Sequence, residues 1–151
     1  MQRLLLIVLL GILTIGSAQA AGQYGEQRSM SGLIGLYSSG VGGVFGYAQP
    51  FAIEGLARSG LGLVVEGQLG AGIGDNQLTI SALVGPKLVF MLNQTSDLYV
   101  GVGVGGELTP DSGIGAGASI GTNFQLNGTR TFIEGGLHPG NHLYLGTGLR
   151  F

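Results

Sequence analysis

Eleven Asp, Glu, Lys and Arg residues follow residue 50; Asp75 and Asp111 fall in turns, and the positions of the other nine follow a rule. Arg58, Lys87, Arg130 and Arg150 are the cations, Glu54, Glu66, Glu107 and Glu134 the glutamates, and Asp97 the remaining acid. Each falls on the parity opposite a row of Leu, Val, Ile and Phe, and none falls within that row. Two kinds of chemistry suit such a set. Cations facing acids in a narrow, dry space would pair into a salt-bridged plug, because an unpaired charge there is costly. The same groups around a gap would form the charged constriction of a thin pore.

Other residues carry weaker signals. His138 and His142 flank one turn, and Asp111 and Ser112 lie in another, so a lipid hydrolase at the rim is a reading to weigh. No local motif of such an enzyme surrounds them, and Ser and Asp are ordinary turn residues. Gly101-Val102-Gly103-Val104-Gly105-Gly106 fits G-x-G-x-x-G, but the nucleotide-binding form needs a helix opening on it. Pro110 and another alternating segment follow instead. Two histidines without a carboxylate at fixed spacing do not make a metal site. The chain has no cysteine, which removes thiolate catalysis, thiolate metal sites and disulfides. No cofactor, no catalytic residue and no metal site is expected. The net charge of −2 gives no footprint for nucleic acid.

The elements that position these charges are strands. From Asp97 to Thr109 the even positions are Leu98, Val100, Val102, Val104, Gly106 and Leu108, while the odd ones are acid, Tyr, Gly and Thr. After Pro110-Asp111-Ser112 the alternation resumes with Ile114, Ala116, Ala118, Ile120, Thr122 and Phe124 on one parity. A period of two places successive side chains on opposite faces of a strand. The pattern predicts eight strands: 30–37, 41–58, 61–73, 77–90, 97–109, 113–125, 130–138 and 142–151. Pro50 is a difficulty in the second, since it cannot donate to a ladder. Asn127-Gly128 is a strong hairpin signal. An even number of antiparallel strands with short turns closes into an up-and-down barrel without an exposed edge.

Residues 1–20 read as a cleaved export signal: Arg3, a 12-residue apolar run Leu4–Ile15, and the cleavage site Ala18-Gln19-Ala20. That run is shorter than the roughly 20 residues of a spanning helix. The chain thus divides into the leader, a short periplasmic lead-in at 21–28 and a barrel at 29–151. Two barrels satisfy the parity rule. A soluble, exported, lipocalin-like barrel would turn the aliphatic row inward around an apolar ligand. A membrane barrel would turn it toward lipid. Charged residues are only 9% of the chain and glycines number 32, which is poor cover for a soluble outside. The expectation is therefore a closed eight-stranded antiparallel transmembrane β-barrel. The interior network would hold Glu54, Arg58, Glu66, Lys87, Glu107, Arg130, Glu134 and Arg150.

On these residues the chain resembles the small eight-stranded outer-membrane β-barrel proteins of the OmpA and OmpX type, over about 29–151. The end of the chain is the most specific part: Leu143, Leu145, Leu149 and the terminal Phe151 alternate, with Gly146 and Gly148 between them, while Thr147 departs mildly. The resemblance implies a bacterial-type outer membrane and a last strand read by the barrel insertion machinery through Gly146, Leu149 and Phe151. It also implies both chain ends in the periplasm, with Phe90, Phe124 and Phe151 as a girdle there and Tyr47 and Phe45 at the outer rim. Members of the family often carry long outward loops with adhesion or receptor roles. Here those loops would be only 38–40, 74–76, 110–112 and 139–141, which speaks against an adhesin. Structural support, limited permeation and binding all stay open, as does the oligomeric state.

Overall fold

The computed structural model describes residues 24–38 and 40–151. The leader, its cleavage site and the start of the lead-in lie outside the described residues, as does Ser39 of the first turn. The strands are β1 (Ser29–Tyr37), β2 (Gly40–Phe51), β3 (Leu61–Gly74), β4 (Gln77–Met91), β5 (Ser96–Thr109), β6 (Gly113–Leu126), β7 (Thr129–His138) and β8 (His142–Arg150). A single helical turn, α1 (Glu54–Ala57), separates β2 from β3. Each strand pairs antiparallel with its sequence neighbour, and β1 pairs with β8, closing the barrel. Backbone bonds between Met30 and Phe151, at 2.6 and 2.9 Å, extend that seam to the end of the chain.

The parity rule decides which face is which. Val102, Ile120 and Leu143 are 64%, 63% and 67% exposed on the outside. Glu66, Lys87 and Glu134 on the opposite parity are buried inside. An inward aliphatic row around an apolar ligand, the soluble alternative, is therefore not what the barrel has. Its inner face is lined by acids, amides and rings. Gly101–Gly106 is plain β5 strand, paired throughout with β6 and at Gly101, Val104, Gly105 and Gly106 with β4, and β6 rather than a helix follows it.

The second strand is shorter than expected. It ends at Phe51 rather than 58. Pairing with β1 stops at Ala48, so Gln49, Pro50 and Phe51 pair with β3 alone. Pro50 thus sits where one edge is already free, and its missing donor costs little. Beyond it Leu56 and Ala57 donate to the Ile53 carbonyl, winding α1. Gly60 has φ +70, the left-handed region where glycine is at ease, and re-aims the chain into β3.

Tyr47 also departs from expectation. It pairs with Met30, close to the rim that carries the chain ends, not the opposite one. The outward aromatics Phe51, Phe90, Phe124 and Phe151 lie on that same rim, at or near the ends of their strands. Phe45 lies within β2, opposite Gly32 and Leu69. The other rim is dressed outside with Leu36, Val41, Ile73, Leu78, Leu108, Ile114 and Leu143.

The inner glycines are sockets for rings. A Cβ at Gly70 would come within 2.5 Å of the Tyr37 hydroxyl, and one at Gly72 within 2.8 Å of its ring. Gly136 faces Tyr144 and Gly148 faces Phe132 in the same way, each at 2.7 Å. An eight-stranded barrel is only just wide enough for side chains to fill, so large rings across it require missing ones opposite.

Candidate functional site: the charged core

At mid-barrel β3, β4, β7 and β8 each contribute one buried ion. Lys87 Nζ donates to Glu134 Oε2 at 2.7 Å and lies 3.3 Å from Glu66 Oε2. Arg150 Nη1 reaches the same Glu66 oxygen at 3.5 Å. The remaining carboxylate oxygens are occupied too. Gln68 Nε2 donates to Glu134 Oε1 at 2.7 Å and to Glu66 Oε1 at 3.2 Å. Tyr144 donates to Glu134 Oε1 at 2.7 Å, and Tyr24 to Glu66 Oε2. A buried carboxylate is tolerable when its oxygens meet donors, and here each of the four does.

Toward the chain-end rim, Asn123 links Arg150 to a further ion. Its amide donates to Asp97 Oδ1 at 2.5 Å, and its carbonyl accepts from Arg150 Nε at 3.1 Å. Arg130 is buried and close enough to Asp97 for their charges to interact. Among the described residues the buried ions are Lys87, Arg130 and Arg150 against Glu66, Asp97 and Glu134. Three of each sign balance within this buried set, as a poorly hydrated space requires.

Toward the other rim the network becomes uncharged. His138 Nδ1 lies 2.8 Å from Ser81 Oγ, and its Nε2 lies 3.2 Å from Gln68 Oε1. Because the Gln68 nitrogen faces carboxylates, its oxygen is the acceptor, so His138 carries its proton on Nε2. Nδ1 then accepts from Ser81, which sits 2.5 Å from the Tyr37 hydroxyl. Above this layer Glu107 pairs with His142 at 2.9 Å, and the His142 ring stacks on Tyr37, 6.2 Å between centres.

Several expected members are therefore brought together and others are not. Glu66, Lys87, Glu134 and Arg150 form one cluster, Arg130 is buried below it, and Glu107 closes the far rim. Glu54 and Arg58 are corrections: α1 carries Glu54, Arg58 follows it, and both are exposed outside the barrel. A strand's parity cannot be extended past the strand, and β2 stops three residues earlier. For the hydrolase reading, His138 is paired with Ser81, not Ser112, which is exposed beside Asp111 on the β5–β6 turn. Ser81 and His138 are both fully buried. A void beside Glu66, Gln68, Lys87 and Ser119 measures about 10 Å³, room for one water and not a substrate. Among the described residues no three potential ligands are grouped to hold a metal. At the end of the chain, Gly146 lies on the inner parity, where an added Cβ would meet Leu33 at 2.6 Å, while Leu149 and Phe151 lie half-buried on the outer one.

Sequence reasoning missed the ring and amide half of the site. Tyr37, Tyr99 and Tyr144 all sit on the inward parity, as do Gln68, Ser81 and Asn123, so parity carried the signal. Tyr24 had none, since it precedes the first strand.

No family model matches the chain, and no curated protein matches it. A solved structure similar to it is the Yersinia pestis outer membrane protein Ail, whose backbone structure was determined in phospholipid bilayer nanodiscs. The identity is 16% and the TM-score 0.45, over 83% of this chain and 100% of that one. The pairing of its own strands makes this chain a closed eight-stranded antiparallel up-and-down β-barrel.

Proposed function

We propose that this protein is an integral outer-membrane barrel that crosses the bilayer with a sealed, salt-bridged core and serves a structural, non-enzymatic role. The observation that carries it is the outer face of the strands, which is dominated by large apolar side chains round the barrel and, among the described residues, bears no charge. Strands of 9 to 15 residues tilted by ~45° rise roughly 20–35 Å, against an apolar band of about 25 Å. A closed ring satisfies every peptide group within hydrocarbon, where an open edge would not. In this reading the leader at 1–20 directs export, and Gly146, Leu149 and Phe151 of the last strand are the feature the insertion machinery reads.

The filled lumen supports a plug over a pore. Tyr37, Tyr99, Phe132 and Tyr144 cross it between the ion pairs, all nearly or fully buried. The purified protein should show a folded band that shifts on boiling in detergent and should fractionate with outer membrane. In planar bilayers it should give no steady conductance. Recovery as a soluble protein without detergent would overturn the membrane assignment. Stable single-channel steps would overturn the plug and favour the constriction.

A further inference from the structure

The mouth at the chain-end rim is filled by a side chain that belongs to no strand. Tyr24 lies ahead of β1, in a turn closed by a bridge to Gln27, and is only 1% exposed. Its ring lies 3.7 Å below the guanidinium carbon of Arg150 and meets Tyr99 edge-on, 5.1 Å between centres. Its hydroxyl donates to Glu66. Ala48, Val64 and Val89 complete the wall. A cation over the ring face, an aromatic edge beside it and a carboxylate at the hydroxyl end together match a phenol.

The position of this pocket matters because of the seam. Every neighbouring pair of strands is tied by a connection along the chain except β1 and β8. Tyr24 stands just before β1 and grips Arg150, the last residue of β8. We infer that the chain-end mouth is a phenol-binding pocket whose resident ligand is Tyr24, and that its occupation clips the β1–β8 seam and caps the lumen. The inference goes beyond the membrane assignment, since the pocket and the seam are properties of the barrel itself.

The test uses the full chain refolded in detergent micelles, with unfolding on heating read as loss of the compact electrophoretic band. Tyr24→Ala should unfold faster by roughly tenfold or more, as for other large-to-small changes in packed sites. Tyr24→Phe should fall between it and the parent. Added p-cresol should slow Tyr24→Ala saturably and leave the parent unchanged, while toluene, which lacks the hydroxyl, should do less. Equal effects of the two compounds, or a Tyr24→Ala variant as slow as the parent, would overturn the pocket.

A covalent seam separates the clip from simple filling. Gly32 and Leu149 pair across it on the outer face, and nothing lies within 4 Å of a Cβ added at Gly32. With Gly32→Cys and Leu149→Cys oxidised, Tyr24→Ala should fold, bind p-cresol, and lose most of its rate penalty. An undiminished penalty, or failure to fold even when cross-linked, would refute the clip.

Discussion

Replacing Lys87 by methionine is the sharpest probe of the core. The methionine keeps the stem's bulk and removes one charge that touches two carboxylates, Glu134 at 2.7 Å and Glu66 at 3.3 Å. At an effective dielectric near 20 each contact represents an attraction of about 5–6 kcal/mol, most of it offset by the desolvation of the ions. What the variant measures is the residue of that balance: Glu134 keeps Gln68 and Tyr144 as donors, and the buried ions go from balanced to a net −1. Breaking one partner of a buried pair typically costs about 3–5 kcal/mol. Glu66 keeps Arg150, so the lower half of that range is expected here, ~3 kcal/mol. The double variant Lys87→Met/Glu134→Gln restores neutrality, with two ions of each sign, and should recover most of the loss. Urea titration of folded protein in vesicles, scored by the heat-modifiable band and by circular dichroism, gives all three stabilities. A single variant within about 0.5 kcal/mol of the parent, the usual range for surface changes, would show that these charges hold nothing together. A double variant as unstable as the single would show that the loss is one of packing.

Three further substitutions address the two faces of the wall. Gly70→Ala puts a methyl group into the Tyr37 ring and should destabilise by about 1–3 kcal/mol in the same titration. Gly67→Ala, where nothing lies within 4 Å, should stay within about 0.5 kcal/mol; equal effects would remove the ring-socket account of the glycines. Val102→Arg on the outer face should cost about 2–4 kcal/mol if that residue lies near the bilayer midplane. The loss should be seen in vesicles, and a variant that folds into them as well as the parent would contradict the outward face.

The architecture was legible because one periodicity runs through nearly the whole chain. Alternation at 97–125 gave β5, β6 and the face each residue occupies, and the same rule carried Glu66, Lys87, Glu134 and Arg150 inward. It failed where the strand itself ended. Pro50 was visible as a difficulty, but nothing local announced that Glu54-Gly55-Leu56-Ala57 would wind into a helical turn, so Glu54 and Arg58 were placed on a face that no longer existed there. Parity also cannot rank partners. That Glu107 meets His142 while Glu134 meets Lys87 depends on stagger around a closed ring, which is set by long-range pairing. Tyr24 was illegible for a stronger reason: its place is defined by Arg150, at the other end of the chain.

The abundance of polar groups inside a barrel too narrow to hold much water raises the question of what they contribute. A buried ion pair is seldom more stabilising than well-packed apolar residues of the same size. With both faces apolar, however, a strand could slip by one residue at little cost, because either set of side chains would tolerate lipid. The core removes that freedom. In the proposed membrane setting, a one-residue slip of β4 would carry Lys87 to the lipid face at up to about 2–4 kcal/mol, and one of β8 would carry Arg150 there, near the rim, at about 0–1 kcal/mol. The slip of β8 would also turn Tyr144 outward and leave its place beside Gly136 empty. The charges and the ring sockets thus act against the same error from two sides. The core is best understood as what fixes the register of a wall whose outer surface, largely apolar and without charge, has little power to do so.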